Sequence, residues 1–264
     1  MKTTIGLNGA CGRVSQRIAH LAMADDSAEI VAALEAPDHK DLGMDYGEII
    51  GVGSTGLKLE SELPVKTQVQ VVIDFSSPAG TQAILKTCLD RKIPLVIATT
   101  GHTREQKDEI AGATHQIPLL QAPNMSLSVN LLFKLTQIAS EALKEHDFDV
   151  EVIERHHRFK KDSPSGTALH FAEIVRKKMG QSDIVHGREG HVGARPHNEI
   201  GVHAIRVGDN FGEHQIIFST LGETIELVHR AHSRDSYAIG AIQAAKFLAD
   251  QPAGRYSMAD VLGL

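Results

Sequence analysis

Tryptophan is absent, and aromatic residues make up only 4% of the 264 positions. Proteins that bind single-stranded nucleic acid stack bases on such rings, so that class of partner is not expected. A surplus of positive charge is also missing. Lys and Arg number 27 against 33 Asp and Glu, giving a formal net charge of −6. This balance supplies no basic face for a phosphate backbone. Cysteine occurs twice, at Cys11 and Cys88, too far apart to define a disulfide framework. Reduced thiols in a cytoplasmic setting are the expectation. No run of about 18 apolar residues occurs, so no membrane span is expected. The opening Met-Lys-Thr-Thr-Ile enters a strand pattern directly, which leaves no room for a signal peptide. His229 and His232 lack a carboxylate or cysteine at ligand spacing, and no metal site is expected.

The remaining composition, 42% hydrophobic and 23% charged, is that of a globular chain with a sizeable core in one or two domains. The first half alternates strands and helices. Residues 3–8 read as a strand, followed by Gly9-Ala10-Cys11-Gly12-Arg13-Val14 and a helical pattern through Ile18, Leu21 and Ala22. A second strand, 28–34, ends at Glu35. Strand, glycine turn, helix, strand and acid is the order of a dinucleotide-binding βαβ unit. Its glycines let backbone N–H groups approach a pyrophosphate, and its acid, about 20 residues on, bonds the adenosine ribose. The fingerprint departs from the usual one in having Cys11 and Ser15 where small residues are common. Ala36, not a cation, follows Glu35, so NADH is predicted to be preferred over NADPH; His39 and Lys40 are the nearby groups that could oppose this. Residues 41–65 are rich in glycine and polar residues and read as a long mobile loop with one short strand. Apolar runs at 69–75 and 93–98 read as buried parallel strands. The second ends at Ala98-Thr99-Thr100, and a later one at Ala122-Pro123-Asn124-Met125.

The stretch with the most chemistry is Glu154-Arg-His156-His157-Arg158-Phe-Lys160-Lys161-Asp162-Ser-Pro164-Ser165-Gly166-Thr167-Ala168. A strand pattern spills imidazole, guanidinium and ammonium groups onto a Ser-Gly-Thr helix start. Free N–H groups and the helix dipole favour an anion there. Histidine and lysine together can move protons near neutral pH, so either His156 or Lys160 could supply one. Asp162 reads as an organiser of this loop rather than a base.

These residues resemble the signature of the dihydrodipicolinate reductase family, roughly E-x-H-H-x-x-K-x-D-x-P-S-G-T-A, with every fixed position present from Glu154 to Ala168. Further likeness runs through Ile73-Asp74-Phe75, Thr99-Thr100-Gly101, Asn124, Arg188-Glu-Gly-His191 and Gly212-Glu213-His214. The resemblance implies NAD(P)H-dependent reduction of a cyclic imine dicarboxylate in lysine and diaminopimelate biosynthesis. It implies His156 as proton donor or acceptor, Lys160 as proton donor and His157 as a substrate contact. Ser165, Gly166 and Thr167 would bind a substrate carboxylate. Gly9 through Val14, Glu35, Ala98 to Thr100 and Ala122 to Met125 would contact the cofactor. It also implies a homotetramer.

The expected fold class is α/β: a Rossmann-like parallel-sheet dinucleotide-binding domain (1–126 with 237–264), plus an α+β mixed-sheet domain for substrate and oligomerisation (127–236). Ile205, Val207, Ile217 and Leu227 would form an apolar face of the second sheet that is buried against another subunit. Two alternatives stay open at this level. A different nicotinamide dehydrogenase, such as one acting on amino acids, would lack the paired histidines with Lys160. A nucleotide sensor without activity would keep Gly9, Gly12 and Glu35 but lose Lys160 or Thr167.

Overall fold

The computed structural model describes residues 2–264. The chain divides into two compact units, residues 1–127 with 235–264 and residues 128–234.

In the first unit, β1 (Thr3–Asn8), α1 (Arg13–Met23) and β2 (Ala28–Leu34) form the opening βαβ. Next come α2 (Tyr46–Ile50), β3 (Leu59–Glu60), β4 (Val71–Asp74), α3 (Pro78–Arg91) and β5 (Leu95–Ile97). They are followed by α4 (Arg104–Ala113) and β6 (Pro118–Gln121), and α5 (Leu127–Leu143) leads out of the unit.

The second unit contains β7 (Asp149–His156), α6 (Gly166–Met179), β8 (Asp183–Val185), β9 (Glu199–Arg206), β10 (Glu213–Thr220) and β11 (Glu223–Arg230). The chain then returns to the first unit as α7 (Asp235–Ala249), β12 (Gly254–Tyr256) and α8 (Met258–Leu262).

The first sheet is parallel throughout, in the order β12-β6-β5-β4-β1-β2-β3. β1 is flanked by β2 on one side and β4 on the other, so the strand order reverses at its C-terminal end. Ligands of doubly wound sheets bind at such a point. One face is covered by α1 and α7 through Ile18, Ala19, Ala241 and Ala245, and the other by α3 and α4 through Ile84, Leu85 and Ile110. Burial on both faces explains why β4 and β5 read as unbroken apolar runs. Helix starts follow local chemistry: Ser77 caps α3 with Pro78 at its first position, and Thr103 with Gln106 forms a capping box on α4.

Residues 41–65 differ from the expected loop. Asp45 caps α2, accepting from the amides of Gly47 and Glu48, and also holds Ser54, Thr55 and Gly56. Tyr46 is wholly buried in the first core. The glycines supply turns that fold the segment back on one carboxylate, which composition alone reads as looseness.

The second sheet is mixed, in the order β11-β10-β7-β9-β8, antiparallel on one side of β7 and parallel on the other. Helix α6 buries Phe171, Ala172 and Val175 against Val150, Val152, Val202, Ile216 and Phe218. Ile153, Ile205 and Ile217 alternate onto the opposite face. Leu227 does not join them. It pairs directly with Ile216 and packs on the helix-covered core, because pairing register decides its face.

Candidate active site

Two sites emerge, one in each unit. In the first, the turn after β1 carries Gly9 at φ +76°, where a Cβ would lie 2.5 Å from the Phe75 carbonyl oxygen. Only glycine fits there without displacing backbone. Gly12 caps α1, donates to the Gly9 carbonyl at 3.0 Å, and would bring a Cβ to 3.1 Å from that same oxygen. The Glu35 carboxylate is drawn across this turn, accepting from the amides of Cys11 (3.0 Å) and Ala36 (3.1 Å). Burial and the Glu35 charge push the Cys11 thiol up to about 11, so it stays protonated at neutral pH.

The turn, Glu35 and the start of α3 enclose a cleft of about 690 Å³. Asn8, Gly9, Cys11, Gly12, Glu35 and Ser76 are among its walls. His39 and Glu62 also reach the cleft, whereas Lys40 does not line it. Ala10 is buried, its carbonyl occupied by the Tyr46 hydroxyl at 2.8 Å. Arg13 and Val14 begin α1 and lie outside the cleft walls. The floor is held by a fully buried carboxylate, Asp74, which accepts from Asn8 (2.8 Å), from the Ser76 hydroxyl (2.5 Å) and from Thr81 (2.6 Å). A cradle that excludes side chains at two turn positions, with an acid drawn over it, fits a dinucleotide.

The expected nicotinamide contacts lie at the ends of β5 and β6. Thr99, Thr100 and Pro123 line one common pocket with Gly101 and Gln121. Thr99 is buried, and its hydroxyl accepts from the Ser76 amide at 2.9 Å. Ala98, Ala122 and Met125 are buried in the first core, so only their backbones can face a ligand. The Asn124 side chain accepts from the Ser126 amide at 2.9 Å.

In the second unit, β7 ends at His156 and the chain turns through the basic loop into α6. Lys160 donates its amide to the His157 carbonyl (3.1 Å) and pairs its ammonium with Asp162 at 2.9 Å. His157 donates its amide to Asn210 (2.8 Å). Asp162 organises this loop from both ends, since its carbonyl accepts from Arg206 at 2.7 Å. Ser165 caps α6 by accepting from the Ala168 amide (3.1 Å), and Gly166 is exposed at the first helical position. Thr167 follows it in the first turn.

Sequence reasoning gave Arg206 no place in the site and assigned no role there to Glu154, His214 or His229. His156 donates Nδ1–H to the wholly buried Glu154 at 2.6 Å. Burial alone would push the Glu154 carboxyl up. Hydrogen bonds from His156, Arg206 and the Ser165 amide outweigh it and hold the group down at about 2. His214 stacks edge-on to His156 at 5.4 Å and faces His229 at 6.1 Å. Burial, then the charge of His156, presses His214 down to about 3, so it is neutral at physiological pH. Two signals for Glu154 are present in the sequence: it opens the E-x-H-H signature, and it lies two residues before His156 on one strand face. Arg234 lies over the Phe211 ring at 5.3 Å.

Among the described residues no group of three or more His, Cys, Asp or Glu could hold a metal ion. No helix of the described chain is long and apolar enough to cross a membrane.

A doubly wound sheet with a dinucleotide cradle, joined to a mixed-sheet unit bearing imidazole and ammonium groups, defines a nicotinamide-dependent oxidoreductase. Family models settle which kind. The N-terminal model of dihydrodipicolinate reductase matches residues 3–125 and the C-terminal model matches residues 128–262. The chain belongs to the dihydrodipicolinate reductase family.

Relatives named 4-hydroxy-tetrahydrodipicolinate reductase agree. The one from Rhodopirellula baltica is 46% identical, over 99% of this chain and 96% of its own length. The one from Aquifex aeolicus is 44% identical over the full length of both. In fold, the chain is similar to a dipicolinate-bound dihydrodipicolinate reductase from Paenisporosarcina sp. TG-14. That match has a TM-score of 0.77 at 24% identity and covers 98% of this chain and 99% of the other. An amine dehydrogenase from Mycobacterium smegmatis shares the architecture at TM-score 0.60 and 9% identity, covering 98% and 95%. The architecture alone therefore does not select a substrate.

Proposed function

We propose that this enzyme reduces 4-hydroxy-tetrahydrodipicolinate, through the cyclic imine dicarboxylate formed by loss of its hydroxyl as water, to tetrahydrodipicolinate in the lysine and diaminopimelate pathway. The observation that carries this reading is the second-unit cluster. His156, Lys160 and the start of α6 share one hydrogen-bonded framework of Glu154, Arg206 and Asp162. A nicotinamide dinucleotide, when bound, supplies the hydride.

The chain's own residues supply the rest. Reduction adds one hydride and one proton, so a proton donor must stand near the developing negative charge. Lys160 donates from its ammonium. His156 donates or accepts at Nε2, because Nδ1 is committed to a carboxylate that can only accept. His157 contacts substrate. One substrate carboxylate lies at Ser165, Gly166 and Thr167, where amide donors and the helix dipole favour negative charge at about 0.3–1 kcal/mol for the dipole alone. Ser165 uses its own amide on Glu154, so Gly166 and Thr167 provide the donors toward the ligand.

The first unit holds the cofactor at Gly9 to Val14 and Glu35, with the ends of β5 and β6, Ala98 to Thr100 and Ala122 to Met125, toward the nicotinamide. NADH is preferred over NADPH. Two carboxylates, Glu35 and Glu62, line the adenosine-side cleft, and no Lys or Arg does. A 2′-phosphate would meet negative charge there with no Lys or Arg to pair it, His39 being the one basic side chain on the walls. Both cysteines are free thiols, in keeping with a cytoplasmic enzyme. The uncovered face of the second sheet, with Ile205 exposed and Ile153 and Ile217 half-buried, supports assembly through this sheet, into a homotetramer.

The test is oxidation of NADH and, separately, NADPH at 340 nm, with substrate generated in situ from pyruvate and aspartate semialdehyde by a synthase. Oxidation that disappears in Lys160→Ala is the expected result. Binding of NADH without oxidation of it would overturn the substrate assignment.

A further inference from the structure

The carboxylate of Glu154 is wholly buried on the sheet face that carries Val150 and Val152 before it and His156 after it on the same strand. It accepts from four donors. Nδ1 of His156 lies at 2.6 Å, the Ser165 amide at 2.9 Å, and Nη1 and Nη2 of Arg206 at 2.8 and 2.7 Å. A carboxylate offers about four acceptor positions, so all are used.

Arg206 is brought opposite His156 by the parallel pairing of β7 with β9. Its Nη2 also donates to the Asp162 carbonyl, and Asp162 in turn pairs with Lys160. Every group that touches Glu154 therefore belongs to, or supports, the proton-bearing loop and the start of α6. A buried ion pair is a poor source of stability, since apolar residues of similar volume often do as well or better. Its effect here is geometric.

We propose that Glu154 is the positioning residue of this site: clamped by Arg206, its carboxylate fixes the His156 ring with the proton on Nδ1 and, with its other oxygen, fixes the start of α6. This rests on the reading of His156 as a proton-carrying group. The consequence is that Nε2 is the nitrogen that exchanges protons, at a set distance from the anion-binding amides. The charged and titratable groups around the ring are Glu154 on its own strand, Arg206 on β9, His214 on β10 with His229 beyond it, and Lys160 and Asp162 on the loop. His214 stays neutral and adds no competing cation. Its Nε2 lies 3.3 Å from the Ser165 hydroxyl, the oxygen that caps α6 at the Ala168 amide.

The test uses the full chain, 15N-labelled at histidine, with His156 assigned by the signal lost in His156→Gln. Imidazole 15N shifts read the tautomer and the titration midpoint directly. In Glu154→Gln the anion is gone, and the His156 midpoint falls by about one pH unit or more. In Arg206→Met the carboxylate keeps its charge without the cation, and the midpoint rises. This opposed pair separates positioning from scaffolding, because a general loosening moves both variants the same way. In Glu154→Gln, kcat falls roughly 10- to 100-fold, part of the ~10²–10⁴ that a placed acid or base contributes. The acid limb of the pH–kcat profile moves with the imidazole midpoint, and KM for NADH changes less than about twofold. Arg206→Met keeps the midpoint test available if Glu154→Gln does not fold. A His156 midpoint that is unchanged in the variants, alongside a loss of kcat in His156→Gln, overturns the proposal alone. Full kcat in His156→Gln removes the reading of His156 and the proposal with it.

Discussion

The hydroxyl of Tyr46 donates to the carbonyl oxygen of Ala10 at 2.8 Å, tying a segment 36 residues away to the middle of the dinucleotide turn. The ring is fully buried, so the bond is shielded from water. Tyr46→Phe leaves the ring in place and the Ala10 carbonyl without this donor. A buried acceptor left unpaired costs about 1–3 kcal/mol. The expected result is a lower melting temperature and weaker NADH binding by calorimetry, with kcat at saturating NADH close to the parent's. Unchanged NADH affinity would show that the turn holds its shape without Tyr46.

Cofactor preference is predicted to yield to a single cation. Ala36 follows Glu35 at the wall of the cleft, and its amide is already bonded to that carboxylate. Ala36→Arg places a guanidinium where a 2′-phosphate would lie. A hydrogen bond to a charged group contributes about 1.5–3 kcal/mol. The ratio of kcat/KM for NADPH to that for NADH should rise by roughly tenfold or more, read by initial rates with each cofactor.

Gly9→Ala tests the cradle. The new methyl would sit 2.5 Å from the Phe75 carbonyl oxygen at a φ of +76°. Backbone must shift, at a cost of order 1–3 kcal/mol for the strained conformation. Loss of NADH binding while the second-unit imidazole signals stay native is the expected outcome, measured by fluorescence titration and by NMR.

Acid sensitivity should be steep, and its sign follows from two groups. His214 is held near 3 in the folded chain, below the ordinary histidine value of 6.5. The unfolded chain therefore binds a proton that the folded chain refuses, and stability falls as pH drops from 6.5 toward 3. Glu154, held near 2 against an ordinary 4.5, adds a loss between those values in the same direction. Urea midpoints measured from pH 7 to 4 should decline throughout. In His214→Gln the decline between pH 6 and 4 should flatten by about 1.4 kcal/mol per pH unit. An unaltered slope would mean that His214 protonates in place.

Assembly is predicted to depend on the uncovered face of the second sheet. Ile205 on β9 is 38% exposed there, and Ile153 on β7 and Ile217 on β10 share that face. Ile205→Glu should shift the mass measured by light scattering to that of a smaller species, with the far-ultraviolet dichroism unchanged.

Much of this molecule can be read locally. A helix start such as Ser165-Gly166-Thr167 is visible because capping involves residues within one turn. The turn at Gly9 is visible because its constraint is carried by the glycine itself. What escaped depends on distant chain. Arg206 lies 52 residues from Glu154, and only the register of β7 with β9 brings them together. Leu227 looks like its neighbours in pattern, but its face is set by its partner Ile216. β12 is three residues long and pairs with β6 across more than a hundred residues, too short to carry a period of its own. Residues 41–65 read as a loop with one short strand, which β3 bears out, but glycine content reports only what a segment can do. It does not reveal that one aspartate gathers the turns.

Residues 128–234 interrupt the first unit, whose core is shared between α1 and the late helix α7 through Ala238, Ala241, Ala245 and Leu248. Arg17 on α1 bonds both oxygens of Asp235 at the start of that helix, and Lys246 near its end pairs with Asp25. During synthesis the inserted unit therefore has all of its strands before the cofactor-binding unit can close. The dinucleotide sheet must wait, one face covered by α1 alone, for residues 235–264 to leave the ribosome. A chain stopped short of Asp235 would carry the whole proton-transfer cluster and yet leave the cofactor cradle on an unfinished core.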